Sequence, residues 1–143
     1  MIEKIKQEDL ANVVEFLQYY NIYNDIYITK NNERIYLEKD IDNLMQTLKT
    51  QECYTLNNEG YHGLFIIIRE KGYRNYLKIV ADSEKAATDL LLYLDWNFND
   101  ELYAKLKRRN PFVYILQNFG FKIVAERNRE LLLYRPKKII EVK

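Results

Sequence analysis

The sequence predicts an α/β domain in which a mixed, mostly antiparallel sheet is flanked by helices. Three observations carry that reading. Segments alternating apolar and polar residues take turns with segments whose apolar residues recur every three or four positions. Their order is strand, helix, helix, three strands, helix, strand, helix, strand, strand. Turn sequences at Asn57-Asn58-Glu59-Gly60 and around Lys71-Gly72 join the three central strands into an antiparallel meander. A helix between Tyr76-Val80 and Leu102-Lys107 can then set those two strands parallel through a right-handed crossover.

Taken in order, Ile2 to Lys6 alternates apolar and charged residues and reads as the first strand. Leu10, Val13, Val14 and Leu17 form a helical stripe, with Asp9 at the positive end of the helix dipole. Tyr19 to Asn32 is polar and aromatic and yields no assignment. Leu37, Ile41, Leu44, Met45 and Leu48 make a second amphipathic helix. Cys53 to Leu56, Gly63 to Ile68 and Tyr76 to Val80 are the meander strands. Ser83 caps a helix that carries Ala87, Leu90, Leu91 and Leu94 on one side and runs to Phe98. In the strand Leu102 to Lys107, Leu102, Ala104 and Leu106 share one face and Tyr103, Lys105 and Lys107 the other. Asn110 caps the last helix, with Pro111 at its first position. Phe112, Ile115, Leu116 and Phe119 then lay one face on the sheet, and Gly120 ends the helix. Strands at Lys122 to Val124 and Glu130 to Arg135 close a single domain over residues 1–136. The stretch from Pro136 to Lys143, with 137–143 as the tail proper, either frays or adds to a sheet edge.

At 143 residues and 48% hydrophobic, the chain suits one domain with one real core. Its 22 basic and 21 acidic residues leave a formal charge of +1, so no global field favours nucleic acid or a membrane, and any polyanion site must be local. The single cysteine, Cys53, excludes an internal disulfide framework and a paired-cysteine zinc site. The single histidine, His62, excludes a multi-histidine metal site within one chain, and it sits at a turn entering a strand, where an ordinary surface or edge role is expected. No metal is expected. The 13 tyrosines are scattered over every element rather than grouped for stacking. No run approaches transmembrane length, and Met1-Ile2-Glu3-Lys4 lacks the apolar core of a signal peptide, so the expected location is cytoplasmic.

The order of elements, closing with Asn110-Pro111 and the Gly120-Phe121 pair, resembles the GNAT superfamily of acyl-coenzyme A dependent N-acyltransferases over about residues 2 to 135. The resemblance implies a GNAT-like fold that moves an acetyl group from acetyl-coenzyme A to a small-molecule or peptide amine. A homodimer is compatible with it. It also implies that Tyr76-Val80 parts from Leu102-Lys107, with the pantetheine arm on strand backbone in the gap and the pyrophosphate on the loop opening the next helix. On this resemblance Val80, Asp82, Lys85, Ala86, Ala87, Thr88 and Asn110 hold the cofactor.

The chain also departs from the family pattern. The phosphate loop is normally basic and glycine-rich, because a diphosphate needs backbone amides aimed at it without side chains in the way. Here it reads Ala81-Asp82-Ser83-Glu84-Lys85-Ala86-Ala87-Thr88-Asp89-Leu90. Lys85 keeps the basic position, but Thr88 and Leu90 stand where small residues are usual, and Glu84 and Asp89 add negative charge. These changes are expected to weaken the site. Many members place a proton-donating tyrosine four residues before the Gly-Phe pair, where this chain has Leu116. Tyr114 lies two residues away, a rotation of about 200° around the helix. The candidates for acid–base work are therefore Tyr114 and Glu70, the latter acting through water or lying simply as a solvated hairpin charge. Lys105, Lys107, Arg108 and Arg109 either meet coenzyme A phosphates or an acidic partner, or form a solvated strand edge. A non-catalytic binding protein on the same fold is the alternative function, and an unrelated α/β interaction domain is the third.

Overall fold

The computed structural model describes residues 1–20, 26–30, 33–36, 40–69 and 74–138. In chain order the elements are β1 (Ile2–Lys4), α1 (Leu10–Tyr20) after a 3-10 turn at Gln7–Asp9, β2 (Tyr27–Lys30), β3 (Glu33–Tyr36), α2 (Ile41–Thr50), β4 (Glu52–Asn57), β5 (Tyr61–Arg69), β6 (Asn75–Ala81), α3 (Glu84–Asn97), β7 (Leu102–Lys107), α4 (Val113–Asn118), β8 (Lys122–Arg127) and β9 (Glu130–Arg135). One sheet holds seven strands in the order β1, β4, β5, β6, β7, β9, β8, and β2 pairs with β3 in a separate hairpin. Every neighbouring pair in the large sheet is antiparallel except β6 and β7, where α3 supplies the long connection a parallel pair requires. The mixed, mostly antiparallel sheet expected from the sequence is therefore present.

Strand alternation sorts the core into two layers. On β5, Phe65 and Ile67 face one side while Leu64, Ile66 and Ile68 face the other, and all five are buried. That explains why β5 reads as a continuous apolar run. The helices α3 and α4 cover the first face through Ala87, Leu90, Leu94, Ile115 and Leu116. The helices α1 and α2 cover the second through Val13, Leu17, Leu44 and Leu48. Fully burying side chains of this size stabilises by about 1.5–3 kcal/mol each.

Several element ends differ from the sequence reading, each for a local reason. The helix α2 starts at Ile41 because the Asp40 carboxylate accepts the Asn43 amide at 3.1 Å; Leu37 lies outside the described residues. The unassigned stretch contains the end of α1 and the strand β2, whose register with β3 runs from Tyr27 opposite Tyr36 to Lys30 opposite Glu33. The regular helix α4 begins only at Val113, although Asn110 still caps its approach by accepting the Phe112 amide at 2.9 Å. Gly120 ends that helix with φ of +91°, a conformation glycine adopts at no steric cost. The strand β8 runs on to Arg127 and is exposed along its whole length, as an edge strand can be. The tail neither frays nor extends the sheet as far as Lys138, whose amide donates to the Asn99 carbonyl at 2.9 Å and whose ammonium pairs with Asp95. Both the turn at Lys71-Gly72 and residues 139–143 lie outside the described residues.

Candidate functional site

The strands β6 and β7 meet only at their N-terminal ends. Tyr76 opposite Tyr103 is their single register pair, although β6 continues to Ala81 and β7 to Lys107. The cause lies in their outer partners. The strand β6 is paired with β5 from Asn75 to Ala81, and β7 with β9 from Leu102 to Lys107, so each follows its own neighbour's twist. Beyond Tyr76, the β6 backbone groups directed toward β7 have no strand to pair with among the described residues. Unpaired strand groups inside a sheet call for a partner, and an extended polar chain laid along the strand supplies one.

The helix α3 opens at the wide end of this gap. Ser83 caps it with an extended backbone (φ −156°, ψ 162°), its Oγ accepting the Ala86 amide at 3.1 Å and its carbonyl the Ala87 amide at 3.1 Å. The amides of Glu84 and Lys85 have no hydrogen-bond partner among the described residues. Ala86 and Ala87 point into the core with their amides already bonded, so the donors left for an anion are those of Glu84 and Lys85. Val80 likewise faces the core on the α1 and α2 side, and its carbonyl lies beside Gly63 of β5, so the β6 residues that turn their backbone groups to the gap are its neighbours Ile79 and Ala81.

The side chains expected to crowd this loop are directed elsewhere. Thr88 turns its hydroxyl back onto the Glu84 carbonyl at 2.9 Å. Leu90 is fully buried, and it fits because Gly63 on β5 leaves room: a Cβ there would lie 2.8 Å from Leu90 Cδ1 and 2.8 Å from the Val80 carbonyl oxygen. The negative charge remains. Lys85 is exposed and sits 3.6 Å from Asp89, which offsets part of its charge. Asp82 accepts from His62 Nδ1 at 2.7 Å, while the other ring nitrogen lies 2.9 Å from the Asn58 carbonyl. His62 is thus the second residue of β5 rather than part of the turn, and it fills the surface role expected of it.

The Asp82 contact, followed by the Asn58 carbonyl, raises the His62 pKa above the ordinary value. Its contribution to stability is therefore fully present below the unfolded-state pKa of about 6.5 and is lost as pH rises through the folded value. An NMR titration of the His62 ring should give a pKa above that of a free imidazole, and Asp82→Asn should bring it back down. An unchanged titration in the variant would remove the pair from solution.

Tyr114 is 47% exposed and Leu116 is fully buried, as the helical stripe requires. The Tyr114 phenol bonds to Glu84 at the mouth of α3, and that carboxylate holds its proton above the ordinary phenol range. Asn110 is buried, with its side-chain oxygen committed to the Phe112 amide. Glu70 lies outside the described residues. Burial pushes the Cys53 thiol up to about 12, which makes it a packing residue rather than a nucleophile.

The opposite face of the parting strands is aromatic and basic. Tyr76, Tyr103 and Tyr134 stand side by side across β6, β7 and β9, with ring centroids 6.1 and 4.9 Å apart. Three tyrosines scattered in sequence are therefore grouped by register. The buried Lys78 ammonium sits 4.0 Å from the centroid of the Tyr27 ring, and Lys105 lies 5.3 Å from that of Tyr76. Lys107, Arg108 and Arg109 line a cavity of about 820 Å³ at the C-terminal end of β7. Arg34, Arg127 and Arg129 join them there. Sequence reasoning missed these three, because Arg34 lies on the unassigned hairpin, Arg127 ends β8, and Arg129 sits in a turn whose only signal is Asn128.

No protein-family model matches the chain, and no curated protein matches its sequence. Solved structures do match it. The PaiA N-acetyltransferase from Thermoplasma acidophilum, in complex with coenzyme A, is 18% identical with a TM-score of 0.68, over 95% of this chain and 98% of that one. The YncA structure from Salmonella typhimurium, which carries acetyl-CoA as its cofactor, is 14% identical with a TM-score of 0.68, over 100% and 96%. A spermidine N-acetyltransferase from Vibrio cholerae is 16% identical with a TM-score of 0.64, over 94% and 91%. At such identities the likeness speaks for the fold: this chain has the GNAT N-acetyltransferase fold. Among the described residues no helix is long and apolar enough to cross a membrane, and no group of acidic, His and Cys side chains could hold a metal ion.

Proposed function

We propose that the chain is an N-acetyltransferase that moves an acetyl group from acetyl-coenzyme A to an amine. The observation that carries the reading is the parting of β6 from β7 beyond Tyr76 and Tyr103. The β6 backbone groups of Ile79 and Ala81, which face the gap, and the open amides of Glu84 and Lys85 suit a ligand that joins an amide-bearing arm to a diphosphate. The coenzyme A and acetyl-CoA bound by structural neighbours support the same ligand class.

When bound, acetyl-coenzyme A supplies a thioester whose carbonyl carbon the amine nitrogen attacks; the carbon–sulfur bond breaks, and the thiolate takes up the proton the nitrogen sheds. The chain's part is mainly to hold and orient the reactants, which by itself can lower a barrier by about 7–11 kcal/mol. Lys78 and Lys105, on the face of the strands away from α3 and α4, disfavour a further positive charge there. They help an arriving ammonium lose its proton and become nucleophilic.

Tyr114 has no major part in proton transfer on this account, since it is exposed and bonded to Glu84. Tyr114→Phe should change kcat by less than about tenfold, whereas loss of a working general acid costs about 100-fold or more. A panel of amines assayed for thiol release with acetyl-CoA tests the reading as a whole. Transfer to at least one amine is the expected result. The second reading, a non-catalytic binding protein, is favoured by Leu116 buried where a tyrosine donor is common. Acetyl-CoA binding without transfer to any amine would select it.

A further inference from the structure

Six of the chain's 22 Lys and Arg residues line one cavity at the C-terminal end of β7: Arg34, Lys107, Arg108, Arg109, Arg127 and Arg129. A chain of formal charge +1 has no general excess of cations to distribute this way. One carboxylate, Glu130, shares the lining, and Arg34 already grips both its oxygens at 2.9 and 2.8 Å. Arg108 pairs with Glu126 at 3.2 Å in an exposed position. Arg127 and Arg129 make no ion pair with the described residues. Like charges gathered within a screening length repel, and a bound anion relieves that repulsion. The cavity's volume of about 820 Å³ lies within the range of small-molecule sites.

The backbone adds an independent observation. Asn128 and Arg129, the two central residues of the β8–β9 turn, have φ of 53° and 64°. A turn with two left-handed residues favours Asn followed by Gly. An arginine occupies the second place instead, in a region that residues with side chains seldom adopt, and it carries its charge to the cavity wall. The site also stands where the strands part. Lys107 alternates with the buried Leu106, which places it on the face of the sheet away from α3 and α4.

We infer that this cavity binds the phosphate or carboxylate group of the acceptor, so that the substrate is an acidic amine. The word acceptor rests on the acetyltransferase reading; the anion site does not. Guanidinium groups suit both anions, because their paired N–H donors match two oxygens at once. A polyamine such as the spermidine named for the Vibrio cholerae neighbour would meet Arg127 and Arg129 here, two cations that no ion pair with the described residues offsets.

The test uses the full chain, labelled with nitrogen-15, without acetyl-CoA, and O-phospho-L-serine as the probe. Phosphoserine should shift the amides of residues 107–109 and 127–130, and more weakly at high salt. Binding should fall by about tenfold or more in the double variant R127Q/R129N, with shifts elsewhere in the chain unchanged. Asparagine tolerates the left-handed conformation, so the turn is kept. No shift at those residues, or spermidine binding there in its place, would overturn the proposal. So would an RNA duplex that shifts them when phosphoserine does not, which would make the cavity part of a polyanion surface. A thiol-release assay then separates the two readings. Acetylation of phosphoserine or another acidic amine in preference to spermidine supports the acceptor assignment, and preference for spermidine overturns it. Phosphoserine bound in the cavity with no transfer to any amine sinks the acetyltransferase reading and leaves the anion site standing.

Discussion

Leu116→Ala should destabilise the chain by about 2–5 kcal/mol. The side chain is fully buried among the residues that α3, α4 and the sheet contribute to one core layer, with Leu90, Leu94 and Phe121 in the same cluster. Its carbonyl also accepts the amides of Phe119 and Phe121 at 2.9 and 3.2 Å, so the cavity would open where α4 turns into β8. Urea unfolding should show a lower midpoint with an unchanged slope. Tyr114→Ala, on the exposed side of the same helix, is the control and should cost less than about 1 kcal/mol. Equal costs at the two positions would mean that α4 is rotated from the register described.

Gly63→Ala should cost about 1–3 kcal/mol, since the new methyl group would meet Leu90 Cδ1 and the Val80 carbonyl oxygen, each at 2.8 Å. The first contact can yield by a rotamer change. The second is backbone of β6, the strand that bounds the gap. Combining it with Leu90→Ala should therefore give a double variant less destabilised than the sum of the single changes, because part of the overlap disappears with the leucine. Thermal unfolding of all four proteins closes the cycle. Strict additivity would show that α3 does not rest on Gly63 in solution.

Alternation and capping made much of the fold legible. The strands Leu102–Lys107 and Glu130–Arg135 were readable to the residue because each alternates a buried with a half-buried face. Ser83 and Asn110 were readable because a cap needs only a short polar side chain beside a free amide. The β2–β3 hairpin was not, since it forms its own two-stranded sheet and shows no clean alternation. Its signal lay in the β-forming residues on either side of Asn31-Asn32.

The site was legible only in its local parts. The loop opening α3 could be found as a contiguous run, but its apparent crowding at Leu90 could not be judged without Gly63, a residue 27 positions earlier that tertiary packing sets beneath it. The basic cavity draws on β3, the end of β7 and the β8–β9 turn, which lie far apart in sequence. From the sequence, Lys107, Arg108 and Arg109 could equally form a solvated edge; only the sheet order, with β9 next to β7, sets Arg127 and Arg129 beside them.

The central claim is that the gap between β6 and β7 holds acetyl-coenzyme A, and a backbone amide map recorded while acetyl-CoA is titrated into the full chain tests it most directly. The account predicts saturable shifts concentrated at Leu77 to Ala81 and at Glu84 and Lys85, with β1 and β4 at the far side of the sheet unaffected. No shifts at millimolar acetyl-CoA, or shifts confined to other strands, would contradict it.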